Sequence, residues 1–290
     1  MSAQAAFWIA QMLNALQLSM LLFLLSIGLT VIFGLMHFVN LAHGALYALG
    51  AFTGVTLAAL LGSYWAAFLL APLVVAAVGL LLYLGLIRRL RHAGPMNQVL
   101  VTFGLLFVFI DVFRIGWGDI ALGLAQPDLL SGRIDAFGIV YPTYRLFVIL
   151  LGLGVLAALS LVLNRTPVGA MIRAGVDNDA MAACLGIDVE RLFLVVFCVG
   201  CALAGLAGVV AAPVLSVTTY MGVEILIPTL IVVVIGGLGS LKGAIWGSLL
   251  VGSVQTFGAV LAPQLAAVLI YACLAAVLVW RPQGLFPARG

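Results

Sequence analysis

The feature that most constrains this chain is its succession of long, unbroken apolar runs, with nearly every charge confined to the short intervals between them. A helix needs about 20 mainly apolar residues to cross the hydrocarbon core of a bilayer, and these runs have that length. Transmembrane β-strands alternate apolar and polar positions over about ten residues, so continuous runs exclude a β-barrel. A soluble domain carries about 25% charged residues, whereas this chain has 7% charged and 66% hydrophobic residues. A soluble globular protein and a disordered chain are therefore both excluded. At about 20 residues per span, 290 residues leave no room for a separate soluble domain, and residues 1–290 are expected to form one all-α transmembrane domain.

Reading the runs against their interruptions gives nine candidate spans, near 8–33, 45–62, 64–87, 97–113, 144–163, 192–213, 223–240, 243–262 and 264–280. An odd number puts the termini on opposite sides. With the C-terminus in the cytoplasm, Arg88, Arg89, Arg91, Arg165, Arg173, Arg191, Lys242, Arg281 and Arg289 face inward, against Arg114, Arg133 and Arg145 outside. The positive-inside bias thus predicts an N-out, C-in bundle. No Lys or Arg precedes Arg88, so the first run lacks the basic start of a cleavable signal and is expected to remain as a span. No basic block extends beyond Arg88, Arg89 and Arg91, and nothing points to nucleic acid; the partners in contact with most of the surface are membrane lipids.

Glycines interrupt the apolar pattern near 34–44 and 236–243, where a half-helix or re-entrant segment would change the span count. Free backbone groups at such breaks can line a cavity, which makes Asn40, His43 and Gly44 in the first break, and Gly236, Gly237, Gly239 and Ser240 in the second, candidates for a substrate pathway. The structural alternative stands beside it: His43 can lock the break to a neighbouring helix, and the glycines can permit close packing. The two stretches, 33–50 and 235–252, resemble each other, and each is followed by a helix, a short turn and another helix ending in Arg88 or Arg281, which suggests a parallel three-span repeat. Gly200, Ala204 and Gly208, and Gly243 with Gly247, read as small-residue packing stripes. Cys198 and Cys201 form a C-x-x-C inside an apolar helix with no polar partner, so they, Cys184 and Cys273 read as small packing residues.

The polar interval 164–191 is too long for a tight connection and too short for a domain. Thr166 and Pro167 open a helix expected to stop at Gly175, and Asp177 or Asn178 caps a second one, AMAACL, ended by a left-handed Gly186. Asp188 then caps the next span. This elbow sets Met171, Ile172, Met181 and Leu185 beside Arg165 and Arg173, a pattern suited to docking into a partner's groove or to lying on lipid headgroups.

Several chemistries are excluded. A P-loop needs G-x-x-x-x-G-K-[ST], and the only lysine, Lys242, lies in GSLKGA. The acidic residues nearest to membrane depth are Asp111 and Glu224, both at span ends, so no buried proton relay is evident. Gly116-Trp117-Gly118-Asp119 fits the GxGD pattern of intramembrane aspartyl proteases but has no second aspartate to pair with. His37, His43 and His92 have no carboxylate nearby and no H-E-x-x-H, which argues against metal hydrolysis. A passive channel stays open. The loop 114–143 is expected outside, as a receiver for another protein or as a cover on the bundle.

Five segments in order carry a family resemblance: GLTVIFGLMHFVNLAHGALYALGA (28–51), TPVGAMIRAGVDNDAMAACLGID (166–188), FCVGCALAGLAGVV (197–210), IGGLGSLKGAIWG (235–247) and RPQGLF (281–286). The chain resembles the LivH-type permease subunits of bacterial branched-chain amino acid ABC importers. That resemblance implies an inner-membrane, multi-pass subunit with no ATPase site or cofactor of its own. It implies as partners a second permease (a LivM-type paralogue), two cytoplasmic ATPases that bind ATP and a periplasmic substrate-binding protein. It also implies that 164–191 is the coupling segment, with Arg165, Met171, Arg173, Asn178, Met181, Leu185 and Gly186 as the residues that engage the ATPase. Lys242 departs from the family pattern, where Pro or another uncharged residue is expected. Similar permeases carry branched-chain and other amino acids, urea, amides and aromatic acids, so substrate stays open at this level.

Overall fold

The computed structural model describes residues 3–36, 38–91, 93–136 and 139–286. His37, His92 and Arg289 lie outside the described residues. The elements, in order, are α1 (Ala3–Met36), α2 (His43–Leu61), α3 (Tyr64–Leu82), a π turn (Tyr83–Ile87) leading into α4 (Arg88–Leu90), and α5 (Pro95–Trp117). A 3-10 turn (Asp128–Leu130), β1 (Arg133–Ala136) and β2 (Ile139–Pro142) precede α6 (Thr143–Arg165), α7 (Pro167–Asp177) and α8 (Asp179–Cys184). Then come α9 (Val189–Ala211), α10 (Met221–Gly236), α11 (Leu241–Leu261), a 3-10 turn (Pro263–Leu265) and α12 (Ala266–Trp280).

The helical bundle is borne out, and eight of the nine expected spans coincide with helices long enough to cross; the ninth, 223–240, divides into the short α10 and the break that follows it. Among the described residues eight helices are long and apolar enough to cross a membrane, whereas α10 has 16 residues. At 1.5 Å per residue α10 reaches roughly 24 Å, short of a hydrocarbon core of about 30 Å. One departure from all-α is a two-stranded antiparallel ribbon in the 118–142 loop, pairing Arg133 with Pro142 and Ala136 with Ile139.

Lipid tails are as apolar as leucine, so burial alone cannot hold apolar helices together; close packing between small residues does. The central helix is α1, whose Leu22, Phe23, Leu24 and Ile27 are fully buried. It is gripped by α9 and α11, and α9 also receives α2 and α3. A Cβ on Gly200 would stand 2.6 Å from Ile32 of α1, and one on Gly205 would stand 2.8 Å from Val75 of α3. Cys201 fills the hollow over Gly79 and is fully buried, which agrees with a packing role. At the other extreme, α12 buries only 6% of its apolar window within the chain and so is exposed almost all round.

Two hairpins, α2 with α3 and α11 with α12, each follow a break in the bundle, the order read as a repeat in the sequence. A hydrogen-bonded pair, Tyr64 and Tyr144 (2.7 Å between hydroxyls), joins α3 to α6, and Tyr144 donates to the Val210 carbonyl at 2.8 Å.

Candidate functional site

The first break, 38–42, is non-helical and buried. Irregular backbone at membrane depth persists only where protein satisfies it, and here α5 does so: Leu41 N donates to the Thr102 hydroxyl (3.2 Å), which donates to the Gln98 carbonyl (2.7 Å). His43 opens α2 fully buried, and its Nε2 donates to the Leu25 carbonyl at 3.1 Å, well inside the length of α1. So α2 starts beside the middle of α1, not beside its end. Asn40 is 1% exposed, its backbone carbonyl accepts from His43 N (3.3 Å), and its Oδ1, like His43 Nδ1, has no protein partner.

Gly44 meets Gly222, the second residue of α10, so closely that a Cβ on Gly222 would lie 2.6 Å from the Gly44 carbonyl. The N-terminal ends of α2 and of the short α10 therefore abut. The second break touches α1 instead: a Cβ on Gly34 would lie 2.8 Å from Gly239 Cα. Within the second break, Gly236 packs on Gly243 of α11. Gly237 (φ 102) and Gly239 (φ 77) take left-handed conformations, and Ser240 Oγ caps α11 by accepting from Gly243 N at 3.1 Å. Each of the seven pathway candidates has a packing, turn or capping contact, Asn40, His43 and Gly44 where α2 meets Leu25 of α1, and Gly236, Gly237, Gly239 and Ser240 in the region beside Gly34. The closing RPQGLF motif belongs to this region as well: Leu285 N and Phe286 N donate to the carbonyls of Ile235 and Gly236 (2.8 and 2.9 Å), which a helix end leaves unpaired. Thr102, Gln98 and Gly222 escaped the sequence reading, because only the fold brings them to the breaks.

The elbow is built as two capped helices. Thr166 Oγ1 accepts from Gly169 N at 3.2 Å, with Pro167 at the first helical position. Contrary to the expected stop at Gly175, α7 runs on to Asp177. Gly175 is small for another reason: a Cβ there would stand 3.2 Å from Leu35 and 3.4 Å from Leu192. Of the two candidate caps it is Asn178 that serves, its Oδ1 accepting from Met181 N at 2.9 Å. Gly186 has φ 86, and Gly186 N donates to Ala183 O (3.0 Å) and Ile187 N to Ala182 O (3.1 Å), the paired bonds of a Schellman end. Asp188 caps α9, accepting from Arg191 N at 3.0 Å.

Met171, Met181 and Leu185 are exposed, but Ile172 turns inward to pack on the bundle core. Arg173 donates to the Leu163 carbonyl at the end of α6, which makes it a cap, while Arg165 is exposed. The elbow is tied to the bundle by Arg91, which reaches Asp179 (3.4 Å) and lies 3.7 Å over the Phe193 ring. One turn earlier Arg88 pairs with Glu190. The π turn before them inserts an extra residue and so re-aims both arginines. In the loop of the GxGD match, Asp119 accepts from the Thr219 hydroxyl at 3.0 Å, and Leu122 and Val217 exchange backbone bonds (2.9 and 2.8 Å). This loop is thereby fixed across the start of α10.

Apolar helices packed through glycine, two breaks beside a central helix and a rigid polar elbow define a multi-pass membrane permease. The chain belongs to the family of permease components of branched-chain amino acid transport systems, whose family model matches residues 11–278, and the LivH-type resemblance is borne out. It is 28% identical to the high-affinity branched-chain amino acid transport system permease protein BraD of Pseudomonas aeruginosa, covering 96% of this chain and 95% of that one. It is 26% identical to LivH of Escherichia coli, covering 98% and 97%. LivM of the same organism matches at 28% identity over 93% of this chain and 68% of that protein.

Proposed function

We propose that this chain forms half of the translocation pathway of an ATP-driven importer for branched-chain amino acids, set N-out and C-in in a bacterial inner membrane. The observation that carries this reading is the family match over residues 11–278, joined to relatives whose names give that substrate. Its partners are a second permease, two cytoplasmic ATPases and a periplasmic binding protein. The likeness to both LivH and LivM supports a pair of related permeases. ATP binds to the ATPases alone: the one lysine of this chain lies in GSLKGA, outside any phosphate-binding loop.

The elbow transmits their movement. A docked element can shift a two-state equilibrium only if it holds its shape, and caps at Thr166, Asn178 and Asp188 supply that stiffness. The pathway runs by the breaks, where the N-terminal ends of α2 and α10 meet beside Asn40 and His43. Positive helix ends at membrane depth suit the carboxylate of an amino acid.

The test is reconstitution of the chain with its ATPases and binding protein, followed by leucine, urea, amide and phenylalanine uptake. Leucine uptake dependent on ATP is expected, and His43→Ala and Asn40→Ala should each lower it with the complex still assembled. ATP-driven urea or amide uptake without leucine would overturn the substrate. Normal uptake in both variants would move the pathway elsewhere.

A further inference from the structure

At the end of the bundle where α11 begins and α12 finishes, a slot of about 790 Å³ opens sideways between the two helices. Leu250 and Val277 line its depth, Trp246 and Trp280 flank it, and Phe286 of the closing motif stacks near Trp246 with ring centroids 6.5 Å apart. The far wall is firm, because Leu285 and Phe286 are held by the backbone bonds to Ile235 and Gly236. Only one charged side chain lines the slot, Arg281. Lys242 stands one helical turn before Trp246, on the same face of α11.

These two cations have no counter-charge. Among the described residues neither forms an ion pair, and the sequence holds no Asp or Glu from Ile225 onward. Paired aromatic residues at a helix end mark the level of lipid headgroups, and α12 is left almost wholly uncovered by the rest of the chain. An apolar slot with one unpaired cation in its lining and a second a helical turn from Trp246 matches the chemistry of an anionic phospholipid, acyl chain in the slot and phosphate toward the cations. We infer that the slot between α11 and α12 is a binding site for one anionic phospholipid, whose phosphate is held by Arg281 and Lys242. The lysine that sets this chain apart from its family pattern then has a partner.

Native mass spectrometry of the purified full chain, titrated with phosphatidylglycerol or phosphatidylcholine, tests this. One phosphatidylglycerol is expected to bind more tightly than phosphatidylcholine. Lys242→Gln and Arg281→Gln should each weaken it about fivefold, and together about thirtyfold, with phosphatidylcholine unaffected. Both positions are exposed, so these variants keep the fold, and monodispersity checks that. Independently, Ser253→Trp fills the slot from its wall and should remove both lipids. Equal affinity for the two lipids, unchanged binding in the double variant, or competition by inorganic phosphate as strong as by lipid would overturn the site. So would efficient disulfide formation in membranes between the Trp246→Cys variant and a second protein, since that would show protein covering the slot.

Discussion

Gly186 offers a perturbation whose magnitude follows from geometry alone. Its φ of 86 lies in the left-handed region, and a Cβ added there would meet nothing within 4 Å. Gly186→Val therefore introduces no clash; it opposes only the backbone conformation, at a cost of about 1–2 kcal/mol for a side-chain-bearing residue and toward the upper end for a β-branched one. That cost falls on the two bonds closing α8, from Gly186 N and Ile187 N to Ala183 and Ala182. Opening of this turn should become roughly five- to thirtyfold more frequent. Asn adopts the left-handed region readily, so Gly186→Asn should restore most of the loss at similar bulk. Hydrogen exchange at Ile187 reads the local effect, and ATP-driven uptake with ATPase co-purification reads the consequence. The valine variant should insert normally but couple poorly, and the asparagine variant should couple well. Equal defects in both would show that bulk at the surface matters and conformation does not; wild-type coupling in the valine variant would refute the elbow as the transmitting element.

Cys184 is exposed in the elbow while Cys201 is buried and Cys198 and Cys273 are half-buried, so a membrane-impermeant maleimide should label inverted vesicles far better than spheroplasts; the reverse would invert the proposed orientation. Gly222→Leu, whose Cβ would press on the Gly44 carbonyl, should cost about 1–3 kcal/mol and lower the melting midpoint in detergent, whereas Gly104→Leu on an open face should not. Tyr144→Phe strands the Val210 carbonyl and the Tyr64 hydroxyl; a loss of about 1 kcal/mol is expected from the same melting assay.

What the sequence discloses here depends on how local the cause is. Span positions were legible because a run of apolar residues needs no distant partner to be recognised. The caps at Thr166, Asn178 and Asp188 and the left-handed Gly186 were legible too, since each acts on amides within a few residues. Gly175 misled because its reason is distant: Leu35 and Leu192 crowd it from other helices, and a glycine that admits neighbours looks the same as one that ends a helix. Among the pathway candidates the sequence picked out both breaks, but it gave no sign that α2 starts beside Leu25 or that Thr102 holds the first break from α5. The ribbon at 133–142 was hidden for a similar reason, its strands being only four residues long.

The bonds from Leu285 and Phe286 to the carbonyls of Ile235 and Gly236 have a consequence for biogenesis. Translation runs from the N-terminus, so the α10 end enters the membrane with two carbonyls that nothing yet synthesised can satisfy. They wait through the emergence of α11 and α12, and Gly284 then seats against Gly237. A segment synthesised after α11 and α12 thus completes a helix end made before them. A nascent chain that stalls short of Gly284 would carry an unfinished break beside α1.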